Sequence, residues 1–272
     1  MKNIKVGISA PVDDNIYSLL VTHLCIFEPD VELVGVYSLK MWSLRRFYSE
    51  LKRLGSRFLI KIWRRYFSES DSEKTSDKAF ELLKNKGLES ETLESLCSRH
   101  NVPFEYFNDP NDNDTIDFLN EKNPDIILSI GSEILKEKFL NIPKIGVLNV
   151  HMGILPDYRG IGVTEWPILE SESLDKVEIG ITLHLIDKGV DTGPIILKKN
   201  IDINTKDTIE KIEDKFLPNM VEAMLTGVKL ARDGKLRSIT KDQPIKGKQY
   251  YFLHPRLKRK VSEKLSIFLN GR

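Results

Sequence analysis

"PDIILSIGSEILKEKFLNIPKIGVLNVHMGILPDYRG", residues 124–160, contains two short apolar runs, "PDIILSIG" and "IGVLNVH" (Ile145–His151). Neither alternates strictly between apolar and polar residues, so both read as strands covered on two faces, as in a parallel sheet flanked by helices. Towards the C-terminus, "IGITLHLID" (Ile179–Asp187) and "GPIILKKNIDI" (Gly193–Ile203) read as an antiparallel pair joined across "KGVDTG", and the pattern after Asp207 turns helical as far as about Arg232. Towards the N-terminus, Thr115–Glu121 reads as a short helix, "VPFEYF" as a strand and Lys78–His100 as one helix. Ile4–Ser9 and Val31–Tyr37 frame a helix over about Asn15–Phe27, an opening βαβ unit. Strands that alternate with helices in this way predict an α/β fold, doubly wound and mostly parallel, with the antiparallel pair near its C-terminal side.

The remaining features bound the function. With 272 residues the chain is long enough to bury a large core. Its 41 Lys+Arg against 40 Asp+Glu give no whole-molecule argument for DNA or RNA. Cys25 and Cys97 lack any metal-ligand spacing and read as buried bystander thiols. No export leader is indicated, and no run approaches the roughly 18 apolar residues of a membrane span, so the expected location is the cytoplasm. From Met41 to Phe67 the eight bases Arg45, Arg46, Lys52, Arg53, Arg57, Lys61, Arg64 and Arg65 meet a single acid, Glu50, among aromatics such as Trp42 and Trp63. This insertion, about 41–77, reads as an amphipathic helix with a polar follow-on: a packed surface helix, a lid, a dimer surface or a contact with anionic lipid. Residues 1–234 read as one catalytic domain and 235–272, basic and punctuated by Pro244 and Pro255, as a surface tail with a short helical extension.

In open α/β sheets ligands bind beyond the carboxyl ends of the strands. "NVHMGILPDYRG" places Asn149 and His151 two residues apart at such an end, where an extended chain sends both side chains to one side. "DKGVDTG" supplies Asp191 from a turn over the same edge. An amide, an imidazole and a carboxylate suit attack of an amine on a carbonyl carbon: Asn149 and protonated His151 stabilise the oxyanion, and Asp191 holds the imidazole and helps relay a proton. His184, alternating with apolar residues, reads as a packed core histidine. Arg159-Gly160 reads either as a solvated loop or as a grip on an acceptor phosphate.

These motifs, Asn-x-His, then Leu-Pro and Arg-Gly, then Asp-Thr-Gly, resemble the catalytic core of the folate-dependent formyltransferases over Pro124–Ile203 and more loosely beyond. The resemblance implies a Rossmann-like sheet, 10-formyltetrahydrofolate as co-substrate, and Asn149, His151 and Asp191 as the catalytic trio. It further implies that Gly131, Ile134 and Leu135, with the backbone of Lys188, Gly189 and Val190, neighbour the pterin. Met152, Gly153, Arg159 and Gly160 fall where an acceptor is recognised. The chain departs from the family pattern there, at Met152-Gly153-Ile154 and in a long "ESESLDKVEIG", which leaves the acceptor open.

By analogy the expected acceptor is a small amine, foremost an amino-sugar nucleotide of surface glycan synthesis. Methionyl-tRNA is disfavoured because too little chain follows Gly234 for a tRNA-binding domain, and glycinamide ribonucleotide because its enzymes need no insertion. A formyltetrahydrofolate hydrolase and a non-catalytic folate-binding module are the rival classes, and a homodimer remains open.

Overall fold

The computed structural model describes residues 3–40, 77–131, 133–244 and 247–270. The expected basic aromatic helix of Met41–Phe67 lies outside them. The N-terminal unit is β1 (Ile4–Ala10), α1 (Ile16–Phe27) and β2 (Val31–Leu39). Asn15 caps α1, its side chain accepting the Ser18 N–H at 2.9 Å. Next come α2 (Asp77–Lys84), α3 (Leu93–Arg99), β3 (Phe104–Phe107), α4 (Asn113–Lys122), β4 (Ile126–Ser129) and α5 (Glu137–Leu140). The single helix expected over Lys78–His100 is therefore two. Gly87 takes the left-handed conformation (φ 66°), and Thr92 with Ser95 forms a capping box that starts α3 afresh.

β5 (Gly146–His151), β6 (Tyr158–Gly160), α6 (Glu165–Glu170), β7 (Gly180–Leu185) and β8 (Ile195–Asn200) follow, then α7 (Ile209–Glu213), α8 (Phe216–Arg232), α9 (Leu236–Ile239), β9 (Lys248–Tyr250) and α10 (Pro255–Asn270). The main sheet has seven strands in the order β3-β2-β1-β4-β5-β7-β8. Strands β3 to β5 pair in parallel, while β7 runs antiparallel to β5 and β8 antiparallel to β7. The doubly wound, mostly parallel sheet with an antiparallel pair thus stands as expected.

The central strands are covered on both faces, which is why they carry so few polar residues. Ile8, Val36, Leu128 and Leu148 belong to the larger core with α1 and α8, and Tyr37, Ile127, Leu135 and Phe139 to a smaller one. Cys25 and Cys97 are buried free thiols, each pushed up to about 12 chiefly by burial.

The tail expected on the surface is instead docked. β9 pairs with β6, setting Gly160 beside Tyr250, and α10 packs on α6 through Val261, Leu265 and Leu269. Those three recur every fourth residue and form one apolar stripe amid lysines and arginines, which suffices to bury a strongly charged helix. Among the described residues no helix is long and apolar enough to cross a membrane.

Candidate active site

The sheet edge at the end of β5 brings the polar residues together. Asn149 lies opposite His184 of β7 and His151 opposite Thr182. Opposed residues of an antiparallel pair share a face, and so do alternate residues of one strand, so all four side chains emerge on one side. The β7–β8 connection then folds Asp191 over them: its Oδ2 is 3.5 Å from His151 Nδ1 and its Oδ1 is 3.9 Å from His184 Nε2. Asp191 adopts φ 52°, an uncommon conformation for a residue with a side chain, and the Gly160 N–H holds its Oδ2 at 2.8 Å.

His184 is 2% exposed, as expected of a core histidine, but it also belongs to this cluster. Burial, with the neighbouring His151 as a lesser cause, lowers its pKa to about 4 against the attraction of Asp191, so the ring is neutral near pH 7. A neutral imidazole has one donor and one acceptor. Nδ1 donates to the Leu185 carbonyl at 2.9 Å, leaving Nε2 to accept the Asn149 amide at 3.2 Å. His184 thus aims Asn149. The sequence signal for this was its place seven residues before Asp191 on the strand beside β5, informative only once that pairing is known.

His151 is 8% exposed, and its Nε2 lies 2.7 Å from the Tyr158 carbonyl. Both ring nitrogens face oxygen acceptors, so the ring uses both contacts only when it carries two protons. Thr182 fixes the following loop: its hydroxyl donates to the Gly153 carbonyl at 2.7 Å and accepts the Leu155 N–H at 3.1 Å.

Several expected site residues are placed otherwise. Arg159 is 6% exposed, and its Nη2 donates to Gln243 Oε1 and to the Pro244 carbonyl, each at 3.1 Å. It is built into the C-terminal segment and is not turned outward to grip a phosphate. Gly160 serves Asp191 through its N–H, and its positive φ of 90° lets the Tyr250 backbone approach where a Cβ would collide. Gly153 is buried, with no room for a side chain between His151 and the Tyr158 carbonyl. Met152 is 48% exposed.

Leu135 packs into the smaller core, whereas its neighbour Ile134 is exposed. Gly131 forms the bend after β4. Lys188 pairs with Glu137 at 3.0 Å, tying the loop before Asp191 to the segment after β4. Asp187 accepts the Gly189 N–H and the Thr192 hydroxyl, which firms the loop that carries exposed Val190. Ile134 and Val190 both present apolar side chains to solvent.

Comparison with known proteins agrees with the fold. The family described as "Formyl transferase" matches residues 76–228, more than half of the chain. This chain belongs to that family. It is 30% identical over 152 residues to a methionyl-tRNA formyltransferase of Clostridioides difficile (strain 630), a match covering 56% of this chain and 48% of that protein. The chain thus spans about half the length of the curated relatives it matches. Among solved structures, a phosphoribosylglycinamide formyltransferase from Anaplasma phagocytophilum superposes with a TM-score of 0.57 at 18% identity, over 92% of this chain and all of that one. An N-formyltransferase from Helicobacter canadensis, in complex with folinic acid and dTDP-3-aminofucose, gives 0.55 at 19% identity over 99% of this chain and 82% of that one. At these identities the two structures share the fold.

Proposed function

We propose that the chain is an N-formyltransferase that moves the formyl group of 10-formyltetrahydrofolate to the amine of a small acceptor. The observation that carries this reading is the convergence of Asn149, His151 and Asp191 from two separate segments, with His184 orienting the amide. The folate supplies a formyl group already activated on nitrogen. Ile134, the bend at Gly131 and the backbone of Lys188, Gly189 and Val190 hold it.

One hydrogen of the Asn149 amide is committed to His184, and the second serves the formyl oxygen as negative charge gathers there. Doubly protonated His151 adds a positive charge at the same place. Asp191 balances that charge across 3.5 Å and takes part in moving the proton that the attacking amine loses to the folate nitrogen, which leaves as tetrahydrofolate when its bond to the formyl carbon breaks. Residues 1–234 carry the catalytic side chains in this reading, with Met152 at the acceptor side. No serine or cysteine nucleophile is needed.

For the acceptor we propose an amino-sugar nucleotide. Supporting this, the N-formyltransferase solved with dTDP-3-aminofucose shares the fold across nearly the whole chain. A methionyl-tRNA acceptor is the second reading, favoured by the curated relatives. The experiment is to incubate the purified chain with 10-formyltetrahydrofolate and, separately, dTDP-amino sugars, glycinamide ribonucleotide and methionyl-tRNA, following tetrahydrofolate release. Amine-dependent release supports formyl transfer, and the amine that supports it names the acceptor. Release without any amine points to a hydrolase, and none with any amine leaves a binding module.

A further inference from the structure

The segment after α9 reaches back to the turn that carries Asp191. Lys241 and Ile195 exchange both backbone hydrogen bonds at 2.8 Å, laying residues 241–243 along the start of β8. From there the Gln243 side chain spans the aspartate turn. Its Nε2 donates to the Asp191 carbonyl at 3.0 Å and to the Gly193 carbonyl at 2.7 Å, and its Oε1 accepts from Arg159 Nη2 at 3.1 Å. The orientation of the amide follows from these partners. Flipped, its oxygen would face two carbonyls and its NH2 a guanidinium.

These bonds close a ring. Arg159 directly precedes Gly160, whose N–H holds the Asp191 carboxylate, while Arg159 also orients the amide that holds the Asp191 backbone. Carboxylate and peptide of Asp191 are therefore fixed against the same strand, β6. That matters because Asp191 sits at φ 52°, a left-handed conformation that few residues with a side chain adopt. Gln243 lies beyond the 76–228 region that matches the family.

We propose that Gln243 is a positioning residue: by clamping the Asp191–Gly193 turn, and itself held by Arg159, it sets the Asp191 carboxylate against His151. The proposal rests on the formyl-transfer reading for its kinetic consequence and on the hydrogen bonds alone for its structural one.

The test uses the full chain with Gln243→Ala and Gln243→Glu, each in the native background and with Asp191→Asn. Gln243→Glu keeps the length and the acceptor for Arg159 but loses both donors. Each single variant is expected to lower kcat about tenfold, the scale of two lost hydrogen bonds, with KM for both substrates unchanged. If Gln243 acts through Asp191, adding Gln243→Ala to Asp191→Asn costs less than about twofold more. A native kcat in both single variants, or the same loss in both backgrounds, overturns the assignment. Hydrogen exchange of the 190–195 backbone reads the clamp without activity: Gln243→Ala is expected to speed it about tenfold while β5 stays protected. If the native chain formylates no amine, the formyl-transfer reading fails and exchange decides the clamp, an unchanged rate overturning it.

Discussion

Asparagine at position 191 separates charge from shape. Asp191→Asn keeps the size of the side chain, still offers an oxygen to the Gly160 N–H, and suits the left-handed conformation as well as aspartate does. What disappears is a negative charge 3.5 Å from His151 Nδ1. At an effective dielectric of about 20, unit charges so placed attract by about 5 kcal/mol. The carboxylate keeps 16% of its surface in solvent, so the part realised in the transition state falls nearer 3 kcal/mol, the usual scale for losing one stabilising partner there. Turnover should drop about a hundredfold. Single-turnover tetrahydrofolate release with the best amine measures this, with thermal melting alongside to show that folding survives. A variant turning over within about threefold of the native chain, equally well folded, would refute the electrostatic role of Asp191.

Asn149→Ala should likewise lose about a hundredfold in kcat while folding normally, measured in the same assay. The buried neutral His184 contributes stability that is fully present above its unfolded value of 6.5 and is lost as pH falls from there through about 4, so melting temperature should decline across that window and His184→Gln should flatten the decline. Leu265→Ala, on the buried stripe of α10, should cost about 2–5 kcal/mol in urea unfolding if the C-terminal helix is part of the cooperative unit, and almost nothing if it is a loose tail.

Asn149, His151 and Asp191 could be picked out from the chain because each stands in a short motif, Asn-x-His or Asp-Thr-Gly, and the order of these motifs resembles the formyltransferase pattern. The partners that orient them could not. His184 looked like core because it is core, and its bond to Asn149 depends on the register between β5 and β7. Arg159 read either as a solvated loop residue or as a phosphate grip because an arginine in a polar loop is usually exposed, yet the 241–244 segment encloses it. Leu135 and Ile134 are adjacent, and nothing local says which faces the core. The spacing of Val261, Leu265 and Leu269 did carry a signal, masked by the high charge around it.

The linear order of apolar runs and turn residues determined the class of fold, because strand and helix periodicities are written within a few residues of one another. It also determined which polar side chains stand at the strand ends. Tertiary structure alone decided how those side chains are held. The Asp191 carboxylate is fixed by Gly160, the Asn149 amide by His184, and the turn between β7 and β8 by Gln243. Each of these bonds joins residues 31 or more positions apart, and such distances close only when the sheet has assembled and the 241–243 segment lies along it.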